Sequence, residues 1–387
     1  MGNYSTKRLI ISNRKDIIIK SLIRISLIKE LGILTNKYDY YFNNKLETSI
    51  DDICLIPQYD RKCFVYWFDD NNLLIIKGCV LYKLDLKTKE KKFLYRHDSY
   101  ILSVKVLPNH RIISCDCSSI IVFDIIFPNK IQITKEDDLQ NITIFNNWIV
   151  CHLSREIQIW DLEDYTCKYI LRPSKVKQYQ INTVVVFDKK IACDCGLFIK
   201  VWDFNIKKLD YTKSDIHLQG HTEQITVICP LPNNKIISGS YDKNLRLWNL
   251  TTQECEHVFS DHCDDIYSIL PLSGNRCISA DSSGIVIIWD LNTCYGGYIK
   301  PSKIYCEKNM YKINIIHHEI SGQILCWSKN YNYIPINNSK LKNLCVLNPD
   351  TGKIDKAITD NQFIYSVFVN IKGKVGVRFK DKIEIYS

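Results

Sequence analysis

Short runs of β-branched and apolar residues, each five or six long, recur along the chain with turn residues every eight to twelve positions. Pairs such as Ile112-Ile113, Ile236-Ile237 and Ile324-Leu325 follow Pro-Asn, Asn-Asn and Ser-Gly turn signals. This pattern predicts an all-β protein made of many short antiparallel strands. The runs also repeat. A segment from His221 to Trp248 aligns without a gap on one from His262 to Trp289, each pair of landmarks lying 41 residues apart. Weaker copies end at Leu84, Phe123, Trp160, Trp202, Leu347 and Tyr386. Along all eight of these strand ends the spacings are 39, 37, 42, 46, 41, 58 and 39. The one long interval contains an insertion at 328–343.

A four-stranded sheet with apolar side chains on both faces cannot shield itself, so sheets of this kind stack around an axis. The pairs Gly220-His221 and Trp248-Asn249 together with Asp242, and the pairs Trp160-Asp161, Trp202-Asp203 and Trp289-Asp290, resemble the defining residues of WD repeats. The likeness spans roughly residues 55–387 and has the repeat period of about 40–45 residues. It implies a WD-repeat β-propeller of eight blades, or seven if the first or penultimate repeat is misread. It further implies that His221, Ser238, Asp242 and Trp248 form a buried hydrogen-bonded chain. Other repeats depart from that set. Phe123 has no N–H, while Ser283 and Gly196 stand where the turn aspartate is expected, so these blades are expected to rely on packing alone. The chain ends on a third strand at Tyr386, and residues 46–57, with Ile50, Ile53, Leu55 and Ile56, are the expected donor of the missing fourth.

Two domains result: a basic arm over 1–45 and a propeller over 46–387. The arm holds nine bases against three acids, hence +6 of the total +9. Residues 16–31 read as a helix, for which a berth against the last blade is the plain expectation. The opening Met1-Gly2-Asn3-Tyr4-Ser5-Thr6 also fits an N-myristoylation signal with Gly2 as the acylated residue. One acyl chain binds membranes only marginally, and Lys7, Arg8, Arg14 and Lys15 would supply the second attraction.

Composition narrows the rest. At 46% hydrophobic and 24% charged the chain is ordered and globular rather than disordered. No signal peptide is recognised, because Lys7-Arg8 is followed by only three apolar residues. The 17 cysteines are therefore expected to be free thiols in a reducing cytoplasm. No Cys-x-x-Cys, phosphate-binding glycine loop, nucleophile elbow or zinc-protease motif occurs. Neighbours in His317-His318-Glu319 would point to opposite faces of a strand, which argues against a shared metal. No catalytic residue, cofactor or metal is expected, and runs such as 87–92 read as solvated turns rather than a nucleic-acid stripe.

The resemblance implies a monomeric, cytoplasmic, non-enzymatic scaffold for protein or peptide partners, tethered to a membrane if Gly2 is acylated. Partner-binding positions follow the histidine of each repeat: Tyr100, Gln224 and Asp265, with Tyr241 before the turn aspartate. Asp261, Asp264 and Asp265 add negative charge suited to a basic peptide. A ubiquitin-ligase substrate receptor is the alternative. The arm lacks the Leu-Pro opening of an F-box, and Glu163, Asn205, Thr251 and Asn292 stand where a Trp-Asp-x-Arg signature would place arginine.

Overall fold

A computed structural model of the chain describes residues 46–51 and 63–386, apart from 108–109, 127–128, 135–137, 174–179, 204–215, 295–301, 306–312, 318–322, 329–341, 349, 351–352, 360–363, 365, 370–373 and 379–381. The expected helix over 16–31, the basic arm and Gly2 lie outside the described residues, as do Ile53, Leu55, Ile56, His318 and Glu319. Among the described residues there is no α-helix, and 32 strands form eight four-stranded antiparallel sheets.

The sheets follow one another along the chain. The first seven are simple meanders over 63–96, 103–134, 139–171, 184–219, 225–259, 266–305 and 313–359. The eighth takes three strands from 366–386 and its outer strand from Leu46–Asp51, which pairs antiparallel with Lys382–Tyr386 through Ile50↔Ile383, Ser49↔Glu384 and Thr48↔Ile385.

Second and third strands are buried on both faces, which explains why they read as continuous apolar runs instead of strict alternations. In Asn72–Lys77, Leu73 and Ile75 face the eighth sheet with Ile383 and Ile385, while Leu74 and Ile76 face the second sheet with Ile112, Ile121 and Phe123. In Lys235–Ser240, Ile236 faces the fourth sheet and Ile237 the sixth. A shared apolar core of this kind joins every sheet to the next and the eighth to the first, so the sheets close into a ring. Each fully buried Ile or Leu contributes about 1.5–3 kcal/mol, and these intersheet cores are the main stabilising term. The fit is close. A Cβ on Gly239 would meet Ile266 of the next sheet at 2.6 Å.

The meander sorts its loops onto two rims. Turns joining first to second and third to fourth strands lie on one, the hairpin rim, where Asn233-Asn234, Asp188-Lys189, Lys89 and Gln253 adopt positive φ. Turns joining second to third strands, and the connections between sheets, lie on the opposite, crossover rim. His97, His221, His262, Asp242, Asp264, Asp265 and Asp281 belong to the crossover rim, whereas Asp161, Asp203 and Asp290 end third strands at the hairpin rim.

Candidate functional site

In the fifth sheet a polar chain runs inward from the crossover rim. His221 Nδ1 lies 2.7 Å from Asp242 Oδ2, His221 Nε2 lies 2.8 Å from Ser238 Oγ, and Trp248 Nε1 donates to the same hydroxyl at 2.8 Å. The Asp242 carboxylate also accepts from the amides of Thr222 and Asn244. Burial pushes Asp242 up, but the His221 bond and these amides outweigh it and leave the carboxyl below its ordinary range. The chain locks the rim loop to the strand beneath it.

The sixth sheet corrects the expectation drawn from Ser283. Its chain is complete: His262 Nδ1 to Asp281 Oδ2 is 2.8 Å, His262 Nε2 to Ser279 Oγ is 2.6 Å, and Trp289 Nε1 to Ser279 Oγ is 2.8 Å. Asp281 comes two residues after the serine and Asp242 four after it, yet both carboxylates reach the imidazole. Ser283 instead helps hold Asp281, donating through its amide and hydroxyl.

The second sheet corrects the expectation of packing alone. His97 Nε2 lies 2.7 Å from Ser114 Oγ, and its Nδ1 lies 3.3 Å from Asp116 Oδ2. Phe123 lacks the indole N–H, but Tyr95 from the preceding sheet brings its hydroxyl to 2.8 Å from Ser114 Oγ and packs its ring, tilted, against Phe123 at 4.9 Å. Burial pushes the His97 imidazole below its ordinary pKa, so it pairs with Asp116 in the neutral form. The signal that finds all three sheets is a 17-residue step from histidine to serine, followed in two of them by Ser-x-Asp. Tyr95 carries no such signal.

The fourth sheet differs. Cys193 occupies the serine position, set by Ile191 pairing with Trp202 as Ile236 pairs with Trp248. Trp202 Nε1 is buried without an acceptor. Asp194, not Gly196, supplies the carboxylate, accepting from the amides of Asn182 and Thr183 at 2.8 Å each and from Asn182 Nδ2 at 3.1 Å. Burial outweighs those bonds and pushes Asp194 up to about 7. Burial also raises the thiols of Cys115, Cys193 and Cys229, the last to about 12, which keeps them protonated and unreactive.

On the surface of the crossover rim, Tyr241 is 38% exposed and its amide donates to Gln224 O at 3.0 Å. Its ring meets that of Tyr267, on Ile266–Leu272 of the sixth sheet, edge-on at 5.9 Å. Burial, the hydrogen bond with Tyr241, and the charges of Asp265 and Asp264 raise the Tyr267 phenol above its ordinary pKa. The structure thus brings Tyr241 and Asp265 to Tyr267, with Gln224 joined to Tyr241 through its backbone carbonyl; sequence reasoning missed Tyr267 because it sits inside an apolar strand run. Tyr100, 48% exposed on the same rim, stands apart between the first and second sheets. Among the described residues no group of three potential ligands is placed to hold a metal.

The family model for the WD domain, G-beta repeat, matches residues 212–249 and 253–290. A search of curated protein sequences finds no match. Among solved structures, the computationally designed Ika8 protein is similar with a TM-score of 0.63 and 14% identity, covering 85% of this chain and 97% of that one. A chain of the mitotic checkpoint complex is similar with a TM-score of 0.54 and 12% identity, covering 91% and 94%. The WD40 β-propeller domain of Doa1 is similar with a TM-score of 0.53 and 12% identity, covering 90% and 98%. At these identities the structures share the fold alone. The two matched repeats each end one residue beyond Trp248 and Trp289, the tryptophans of the polar chains in the fifth and sixth sheets, so the chain carries WD repeats over residues 212–290 within a fold similar to a WD40 β-propeller.

Proposed function

We propose that the protein is a non-enzymatic interaction scaffold, that its eight sheets are the blades of one closed ring, and that the crossover rim of the fifth and sixth sheets receives a protein partner. The single observation that supports the site is the Tyr241–Tyr267 pair beside Asp264 and Asp265. Aromatic faces next to carboxylates suit a lysine or arginine side chain, which gains from both ring quadrupole and opposite charge. The two polar chains beneath hold these loops in place before a partner arrives, which limits the ordering cost of binding. A peptide carrying exposed lysines or arginines is the partner this chemistry fits.

The test is titration of the full chain against an array of lysine- and arginine-bearing peptides at low and high salt. Tyr241→Ala and Asp265→Asn are each expected to weaken binding by on the order of tenfold or more, as at other aromatic hot spots. Peptides bound equally well by both variants would overturn this assignment.

The amino-terminal arm is proposed as a membrane tether through acylated Gly2. Support comes from where the chain enters the fold. Leu46 pairs with Tyr386 at the hairpin rim of the eighth sheet, opposite the partner site, so tether and partner need not compete for one face. Mass spectrometry of the protein from eukaryotic cells checks this. An unmodified Gly2 rejects it.

A further inference from the structure

We propose that the outer edge of the first sheet, at the hairpin rim, is a docking surface for an anionic lipid bilayer, whether or not Gly2 is acylated. Lys87 and Lys89 occupy the turn before the outer strand, and Lys91, Lys92 and Phe93 lie on that strand, Lys91–Arg96; all five are exposed. Phe93 is 56% exposed, its ring edge-on to Tyr82 at 6.1 Å, and Lys91 Nζ lies 4.1 Å above Tyr82. In the matching turn of the second sheet, Ile126 is likewise 56% exposed.

Lysines on an outer strand also discourage edge-to-edge pairing between molecules. An exposed phenylalanine and isoleucine have the opposite effect, so protection of the edge does not account for the whole set. Apolar tips among bases are what an interfacial lipid site requires: the bases approach the anionic headgroups and the apolar groups enter the acyl boundary.

The local acids do not cancel the charge. Between 83 and 92 there are five lysines (83, 87, 89, 91, 92) against Asp85 and Glu90. Asp85 is turned into its own loop, accepting from the amides of Lys87 at 2.8 Å and Thr88 at 3.0 Å. The arm cannot neutralise the patch either. It joins the neighbouring eighth sheet at the same rim, and its own nine bases exceed its three acids. Tyr82 packs on the core shared with the eighth sheet, which puts Lys91 and Phe93 on the side where the arm enters. The complementary surface is therefore negative, extended and partly apolar. A single-stranded nucleic acid is negative and extended too, but it needs flat faces for its bases. Phe93 already turns its ring to Tyr82, and Ile126 offers none.

The experiment is co-sedimentation of the full chain, produced in bacteria so that Gly2 stays unacylated, with phosphatidylcholine vesicles with and without phosphatidylserine. Binding is expected only with phosphatidylserine and should fall with salt. Replacing the four lysines together (K87Q, K89Q, K91Q, K92Q) is expected to lower partitioning by on the order of a hundredfold. The pair F93S and I126S, with charge unchanged, is expected to lower it about tenfold. All substitutions are at exposed side chains, and an unfolding midpoint equal to that of the unaltered chain confirms the fold. Undiminished binding by both variants, equal binding to phosphatidylcholine alone, or displacement by a single-stranded oligonucleotide would overturn the proposal. Tyr241→Ala should bind vesicles normally, which separates this surface from the partner site.

Discussion

The fifth and fourth sheets occupy neighbouring places in the ring with the same strand pairing, yet they stabilise their rims by opposite means. In the fifth, an imidazole links Asp242 to Ser238 and Trp248, and the carboxyl is held below its ordinary range. In the fourth, cysteine replaces serine, the tryptophan N–H has no acceptor, and Asp194 bonds to backbone amides with its carboxyl raised to about 7. Both tryptophans are equally buried. Packing of the tryptophan against the preceding sheet is thus common to both, while the polar chain is an additional constraint that this ring keeps in some sheets and dispenses with in another.

The largest expected effect tests whether the chain in the fifth sheet matters energetically. Ser238→Ala leaves both His221 Nε2 and Trp248 Nε1 buried without their partner, at a cost of about 3 kcal/mol. Urea unfolding measures this, and a loss below about 1 kcal/mol would show that the network adds little to packing.

Acid–base behaviour separates the two sheets next. Asp194 has a folded pKa raised above the unfolded value of about 3.9, so its contribution is full below that value and is lost as pH rises towards 7. Asp242 and Asp281 are lowered, so theirs is present above the unfolded value and is lost as pH falls through the acid range. The unaltered chain is expected to lose about 2 kcal/mol between pH 5 and 8 through Asp194, a loss that Asp194→Asn removes. Urea midpoints at the two pH values check it, and identical slopes in both proteins would refute the role of Asp194. The smallest effect repairs the fourth sheet. Cys193→Ser offers Trp202 Nε1 an acceptor and is expected to stabilise by about 0.5–1 kcal/mol in the same assay. A destabilised variant would mean that the thiol is held there by packing.

Much of this was legible residue by residue. The third strands were placed by their terminal Trp, Phe, Leu or Tyr, and the His221 set by its resemblance to WD repeats. Asp281 was missed because the turn aspartate was sought at a fixed offset, whereas a carboxylate two residues nearer the strand reaches the same imidazole. Phe123 suggested a lost chain because the hydroxyl that replaces the indole belongs to Tyr95, on another sheet. Tyr267 was hidden in an apolar run, since a strand pattern says which face a residue takes but not which aromatic ring from the next sheet lies opposite.

The short apolar runs, the turn residues between them and the repeat period were enough by themselves to predict strands, turns and the stacking of sheets. These are local properties that each segment expresses on its own. The closing strand was expected within residues 46–57, but its bounds and register, and the makeup of the polar chains in the second, fourth and sixth sheets, were decided by tertiary structure, because they depend on partners far apart in the chain. Trp67 Nε1 donates to Phe368 O across 301 residues, and Leu46–Asp51 finds Lys382–Tyr386 at the other end of the sequence. Such pairings form only when sheets that cannot bury both faces alone come together around an axis.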